Sequence, residues 1–200
     1  SGHSWRPEKP YGAPVERTPA MPLTYGRIST DDCKGVIKAY ITRVGEGPMP
    51  TELKDDLGLR MREKGGEYGT TTGRARRCGW FDAVLGLKSV YLNGYTELAL
   101  TKLDVLTGID PIKICIGYDL DGETLGYPPE ATDDLARCQP IYEDMPGWTG
   151  DISEIKEYDD LPANARAYVE RLEDLLGVSI SAVSVGPGRE QTIFRDEPEE

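Results

Sequence analysis

Histidine is almost missing from this 200-residue chain: the one copy, His3, lies in an opening Ser-Gly-His that reads as a tag remnant. A chain so poor in imidazole offers no His-paired nucleophile and no His-rich metal site of its own. Closely spaced cysteines are missing too. Cys33, Cys78, Cys115 and Cys138 stand 45, 37 and 23 positions apart with no Cys-x-x-Cys pair. That usage suits reduced thiols in a cytoplasmic protein better than a disulfide framework. Cys115, within the apolar run 112–117, reads as a small core residue. No apolar run reaches the roughly 18 residues of a membrane span, and no signal-peptide pattern opens the chain.

Positive charge is scarce in the second half. Residues 1–100 carry 15 Lys and Arg against 12 Asp and Glu, whereas residues 101–200 carry 8 against 23, which together make the net charge of -12. So acidic a surface repels nucleic acid and anionic lipid, and neither is expected as a partner. An anionic ligand must instead be held by a local basic cluster, and the first half is where one can lie. With 38% hydrophobic and 29% charged residues the chain reads as globular, of a length that suits one domain.

Residues 1–30 hold five prolines (Pro7, Pro10, Pro14, Pro19 and Pro22) and show no period. They read as an extended or disordered arm ahead of a domain spanning 31–197. Asp31 and Asp32 then suit the N-cap of a helix with Val36, Ile37, Tyr40 and Ile41 on one face. Thr51 suits the cap of a second, closed by Gly65-Gly66. Residues 69–79 read as a loop, 80–92 as a helix, and 97–103, 112–118 and 123–127 as strands. Asp121-Gly122 marks a hairpin turn between the last two strands. Residues 129–150 read as irregular. A helix from Pro162 to Leu176, stopped by Gly177, leads into a strand at 178–183. The class is α/β, yet only one long helix-to-strand unit is clear, fewer than a complete doubly wound domain requires. The chain reads as part of a larger fold.

Three segments could carry chemistry. In residues 70–77, Thr70, Thr71, Thr72 and Gly73 precede Arg74, Ala75, Arg76 and Arg77. Hydroxyls, loop N–H groups and guanidinium forks together make an anion cradle, and the alternation of Arg74 and Arg76 puts both on one side of an extended chain. A solvated basic turn, or partners for the acidic half, fits the composition equally well. In the second segment, Lys102, Leu103 and Asp104 end a strand. A carboxylate there can accept two bonds from the N1–H and amino group of guanine, which adenine cannot supply, and the Lys stem can cover a purine face. On its own a strand-end Asp is more often a turn residue. The third is Ser184, Val185 and Gly186, in the loop after the last long strand, where open α/β sheets bind ligands. Taken alone, it fits a plain turn better.

In order along the chain, residues 43–53 (RVGEGPMPTEL), 68–82 (YGTTTGRARRCGWFD), 100–106 (LTKLDVL), 142–148 (YEDMPGW) and 184–187 (SVGP) resemble adenylosuccinate synthetase. The resemblance covers about residues 33–197, and residues 1–30 show no match to that family. It implies the C-terminal part of a P-loop-NTPase-like, mostly parallel α/β fold, and a GTP- and magnesium-dependent ligation of IMP to L-aspartate in purine nucleotide biosynthesis. By the same resemblance Thr70, Thr71, Thr72, Gly73, Arg74 and Arg76 bind aspartate. Arg74 and Val44 contact IMP. Arg76, Lys102, Leu103, Asp104, Ser184, Val185 and Gly186 face GTP. A homodimer is implied as well.

The sequence departs from the family in one large respect. It has no GDEGKGK-like phosphate loop, and the family's catalytic Asp and His have no counterpart here, so no catalytic residue and no magnesium ligand is assigned within the chain. Two readings follow: half of a ligase whose N-terminal partner supplies phosphoryl transfer, or a binding module that recognises guanine nucleotide or dicarboxylate without turnover. An RNA-binding role for residues 74–77 is disfavoured by the overall charge and the lack of interleaved aromatics.

Overall fold

The computed structural model describes residues 33–195. The arm expected at 1–30, His3, and the caps expected at Asp31 and Asp32 lie outside the described residues. The first helix expected from the sequence is in fact two strands, β1 (Lys34–Lys38) and β2 (Ile41–Arg43), with Ala39 and Tyr40 at the bend between them. The helical spacing of Val36, Ile37, Tyr40 and Ile41 was a coincidence of two short β runs; β-branched residues fit a pleated surface better than a helix. Gly35 is required there: a Cβ on it would stand 2.7 Å from the Leu98 side chain and 3.0 Å from the Tyr95 ring.

Helix α1 (Asp56–Gly65) begins later than expected, because Asp55 and not Thr51 supplies the cap, accepting the Gly58 N–H at 3.2 Å. Gly66, in the left-handed conformation, ends it as the Gly-Gly pair suggested. The expected loop at 69–79 closes with β3 (Arg77–Gly79), which pairs antiparallel with β2 so that Arg43 faces Arg77. Next, β4 (Phe81–Asp82) runs directly into α2 (Ala83–Asn93), capped by Asp82. Strand β5 (Glu97–Thr101) gives way to a 3-10 turn at Leu103–Leu106. The hairpin of β6 (Ile112–Leu120) and β7 (Glu123–Leu125) turns on Asp121 and Gly122, both at positive φ (55° and 90°).

Residues 129–150 are more ordered than their prolines suggested. They hold α3 (Thr132–Arg137) and β8 (Gln139–Met145), which zips antiparallel along β6. Then α4 (Ala163–Leu176) and β9 (Ser179–Ser184) follow as expected, and β10 (Thr192–Phe194) closes the described chain.

Strand order in the main sheet is β1-β5-β9-β10, with the first three parallel and β10 antiparallel. A second sheet is built on β6, with β8 along one edge and β4 and β7 sharing the other. Helix α4 packs Ala165, Tyr168, Val169, Leu172, Leu175 and Leu176 into the core, each buried Val or Leu contributing about 1.5–3 kcal/mol. Tyr168 also donates from its buried hydroxyl to the Ala39 carbonyl at 2.7 Å, fixing the helix to the end of β1. All four cysteines are free, and Cys115 is buried as expected. Among the described residues no helix is long and apolar enough to cross a membrane.

Candidate functional site

Three parallel strands deliver chain to one edge of the main sheet. Lys38 ends β1, residues 102–104 follow β5, and residues 184–186 finish and follow β9. Since β5 and β9 are hydrogen-bonded neighbours, two segments some 80 residues apart in sequence emerge side by side.

Lys102 makes the exit from β5 abrupt, taking a left-handed backbone with φ 63°. Leu103 is buried beneath the turn and Asp104 is half-buried beside it. The turn is clamped from α1: Lys64 Nζ donates to the Asp104 carbonyl at 2.6 Å and to the Thr107 carbonyl at 3.1 Å, and the Lys102 ammonium donates to the Gly65 carbonyl. Burial raises the pKa of the Asp104 carboxyl, and the neighbouring Lys64 charge opposes that rise. Residues 142–148 prop the same turn. Trp148 donates through Nε1 to Thr107 Oγ1 at 3.0 Å, and its carbonyl accepts the Gly108 N–H at 2.7 Å. On β9, Ser184 donates to the Gly186 carbonyl at 2.8 Å, and the buried Val185 has its N–H on the Gln191 carbonyl at 2.8 Å. These bonds hold the backbone of 184–186 in a defined turn at the strand end.

The Thr-Gly-Arg segment is a hairpin-like loop. Tyr68 and Ala75 pair across its base, Gly69 N–H donates to the Arg74 carbonyl at 2.9 Å, and Gly73 turns at φ 63°. Thr70, Thr71, Thr72, Gly73 and Arg74 are all exposed, and among the described residues the Arg74 guanidinium has no hydrogen-bond or ion-pair partner. The other two arginines behave differently. Arg77 makes a bidentate pair with Glu52 at 2.8 and 2.6 Å and also donates to the carbonyls of Gly45 and Gly47. It is a brace for the 45–47 loop and not part of an anion cradle. Exposed Val44 lies one residue past the Arg43–Arg77 pair, on the side toward Arg76.

Arg76 leads to a residue that the sequence reading missed. Glu67 is 0% exposed, yet its carboxylate is ringed by cations. Lys38 Nζ lies 2.8 Å from both oxygens, Tyr40 donates to Oε1 at 2.8 Å, Arg76 donates to Oε2 at 2.8 Å, and Lys102 Nζ is 3.1 Å from Oε1. Burial alone would raise its pKa, but the bonds from Lys38, Tyr40, Arg76 and Lys102 outweigh burial and draw it down to about 2. One carboxylate against three cations leaves local positive charge at the sheet edge. Arg76 and Lys102 remain 29% and 34% exposed and keep N–H donors for a further anion. Nothing in a single sequence marks Glu67. Its burial is what marks it, since a Glu is almost never fully buried unless paired.

The structure therefore joins Arg76 of the loop to Lys102 of the turn through Glu67, while Thr70, Thr71, Thr72, Gly73 and Arg74 form the exposed part of the same loop and Leu103 and Asp104 follow Lys102 in the turn. Residues 184–186 join them by strand adjacency, and among the described residues no hydrogen bond runs from them to the Glu67 cluster. No group of three or more His, Cys, Asp or Glu side chains among the described residues could hold a metal ion.

Comparison with known proteins adds to this geometry. The family model for adenylosuccinate synthetase matches residues 16–193, which corrects the expectation that residues 1–30 lie wholly outside the resemblance. The adenylosuccinate synthetase of Methanothrix thermoacetophila is 70% identical over 174 residues, which cover 87% of this chain and 41% of that protein. That of Methanosarcina barkeri is 59% identical over the same shares. Among solved structures, the fully ligated adenylosuccinate synthetase of Plasmodium falciparum superposes with a TM-score of 0.79 at 43% identity, covering 82% of this chain and 39% of that one. The chain spans about two fifths of the length of the curated relatives it matches.

Proposed function

This chain belongs to the adenylosuccinate synthetase family, and on that premise we propose that it supplies the aspartate-, IMP- and guanine-binding part of a GTP-dependent ligase joining IMP to L-aspartate. The observation that carries the reading is that Arg76 of the Thr-Gly-Arg loop and Lys102 of the turn after β5 share one buried carboxylate, with the 184–186 turn leaving the neighbouring strand.

The Asp104 carboxylate accepts the N1–H and amino group of guanine, the Lys102 stem covers the purine face, and the backbone at Ser184, Val185 and Gly186 closes on the base. Burial sharpens this choice, because a half-buried carboxylate left without donors by adenine costs free energy. Thr70, Thr71, Thr72 and Gly73 offer hydroxyls and N–H groups to the aspartate carboxylates, and Arg76 grips one of them. Arg74, with Val44 nearby, serves IMP. In the reaction of the family, the γ-phosphoryl group of GTP passes to O6 of IMP, and the aspartate amine then displaces phosphate from that carbon. Magnesium in such a reaction neutralises phosphate charge. The described residues offer it no ligand cluster. The chain's own groups bind and orient, and the phosphoryl-transfer groups have no counterpart in this sequence.

Incubating the chain with IMP, GTP, L-aspartate and magnesium while following adenylosuccinate by absorbance tests the reading. The expected result is turnover only when polypeptide carrying the missing phosphate-loop part of the family chain is added. Turnover by the chain alone would show that its residues also perform phosphoryl transfer. No activity with that partner present, together with no GTP binding, would remove the reading.

A further inference from the structure

We propose that Glu67 is a positioning residue that couples the aspartate loop to the guanine-binding turn, so that a ligand taken up at one subsite weakens binding at the other. The proposal rests on the functional reading above for the names of the two subsites. The coupling itself rests on geometry.

Each oxygen of the carboxylate serves a different segment. Oε2 accepts from Arg76 of the loop at 2.8 Å, and Oε1 stands 3.1 Å from Lys102 of the turn. Lys38 bridges both oxygens at 2.8 Å from the end of β1. The main chain repeats the connection, because the Glu67 carbonyl accepts the Arg76 N–H at 2.9 Å and the Glu67 N–H donates to the Arg62 carbonyl at 2.9 Å. Arg62 in turn donates to the Arg76 carbonyl at 2.8 Å. Helix α1 therefore ends in a rigid mount carrying Glu67 at its tip, with the Lys102 ammonium on the Gly65 carbonyl. Neither Arg76 nor Lys102 can swing toward a ligand without changing what it shares with Glu67. Arginine drawn toward an aspartate carboxylate loosens its hold on Oε2 and leaves more of the carboxylate to Lys38 and Lys102. A lysine stem settled over a purine leaves more to Arg76. The two ligands thus act on one shared acceptor, which is a coupling between sites and is reciprocal by thermodynamic necessity.

The test compares GTP affinity with and without saturating L-aspartate, by titration calorimetry of the full chain, in the wild type, Glu67→Gln and Glu67→Asp. In the wild type, aspartate should weaken GTP binding by about fivefold or more, within the ordinary range of coupled sites, and a wild type that binds both ligands with less than about twofold coupling overturns the proposal. Glu67→Gln should reduce that factor to below about twofold, and Glu67→Asp, which keeps the charge but withdraws it from one segment, should fall between. A folded Gln variant with undiminished coupling would overturn the proposal. If Glu67→Gln does not fold, Glu67→Asp decides alone, and full coupling in it overturns the proposal.

A ligand-free measurement separates this idea from the functional reading. Amide exchange at Gly73 and Arg76 in the loop, and at Val105 and Thr107 in the turn, should accelerate together by about tenfold in Glu67→Asp, while β6 and β8 keep their protection. Loosening confined to the loop would overturn the coupling. A wild type that binds neither GTP nor aspartate would instead count against the functional reading and leave this exchange result to decide the role of Glu67.

Discussion

Two carboxylates lie buried among the described residues, and their surroundings drive them in opposite directions. Glu67, 0% exposed at the edge of the main sheet, has three cations and a tyrosine hydroxyl, and its pKa falls to about 2. Asp82, 1% exposed at the foot of α2, has no cation among its bonds. It accepts the Leu85 N–H at 3.0 Å as a helix cap and the Tyr118 hydroxyl at 2.5 Å, and burial raises its pKa. The same functional group at the same depth is thus held ionised in one place and pushed toward its neutral form in the other. Asp82 sits in the second sheet beside Val84, Cys115 and Tyr118, where a carboxyl is needed for a cap and a single hydroxyl. Glu67 sits where the fold accumulates positive charge. A site that must hold anions needs such a surplus, and a counter-ion that arranges the cations without neutralising them all.

The largest expected effect comes from removing the charge at each site. Glu67→Gln leaves three cations around a neutral amide and should cost about 3–5 kcal/mol at pH 7, whereas Asp82→Asn keeps the cap acceptor and should stay within about 1 kcal/mol. Chemical denaturation of both variants measures this, and equal losses would break the contrast. Removing one hydroxyl from each site should reverse the ranking. Tyr118→Phe takes away the Tyr118 hydroxyl bond to Asp82 and should cost about 1.5–3 kcal/mol, while Tyr40→Phe leaves Glu67 its three cations and should cost about 1 kcal/mol.

Acid titration of stability sharpens the same comparison. The pKa of Glu67 is depressed from its ordinary 4.5 to about 2, so its contribution is fully present above about pH 4.5 and is lost as pH falls toward 2. The gap between wild type and Glu67→Gln should narrow over that window. The pKa of Asp82 is raised, so the folded state holds its proton more tightly than the unfolded chain does; that favours folding at low pH and is lost as pH rises through the folded value. Wild type should therefore gain on Asp82→Asn as the solution is acidified. Parallel slopes for the two pairs would contradict both assignments. The smallest effect is at Arg74: being exposed and unpaired among the described residues, Arg74→Ala should change stability by less than about 0.5 kcal/mol. It should still weaken IMP binding, and titration with IMP checks that.

The parts of the fold that could be read from the sequence are those where local signals agree. The α4-to-β9 unit has helical spacing, a leading proline and a stopping glycine, and the β6–β7 hairpin has its Asp-Gly. The unit from Lys34 to Arg43 misled because two three-to-five-residue strands mimic one helical face when read by spacing alone. Strand β8 was invisible because Pro140 and the acidic pair Glu143 and Asp144 hide a strand that depends on its partner β6. The loop and turn segments stand out in the sequence as candidates through their motifs. Arg77 was grouped with its neighbours by composition, although its partner Glu52 lies 25 positions away. Glu67 was missed for the same reason: its meaning comes from Lys38 and Lys102, which only the parallel pairing of β1 and β5 brings beside it.

Guanine selectivity at the end of β5 tests the central claim most directly. Calorimetric titration of the chain with GTP and with ATP should show GTP binding at least about tenfold tighter, and Asp104→Asn should bring the two within about twofold of each other. Equal affinity for GTP and ATP in the wild type, or selectivity that survives Asp104→Asn, would contradict the account.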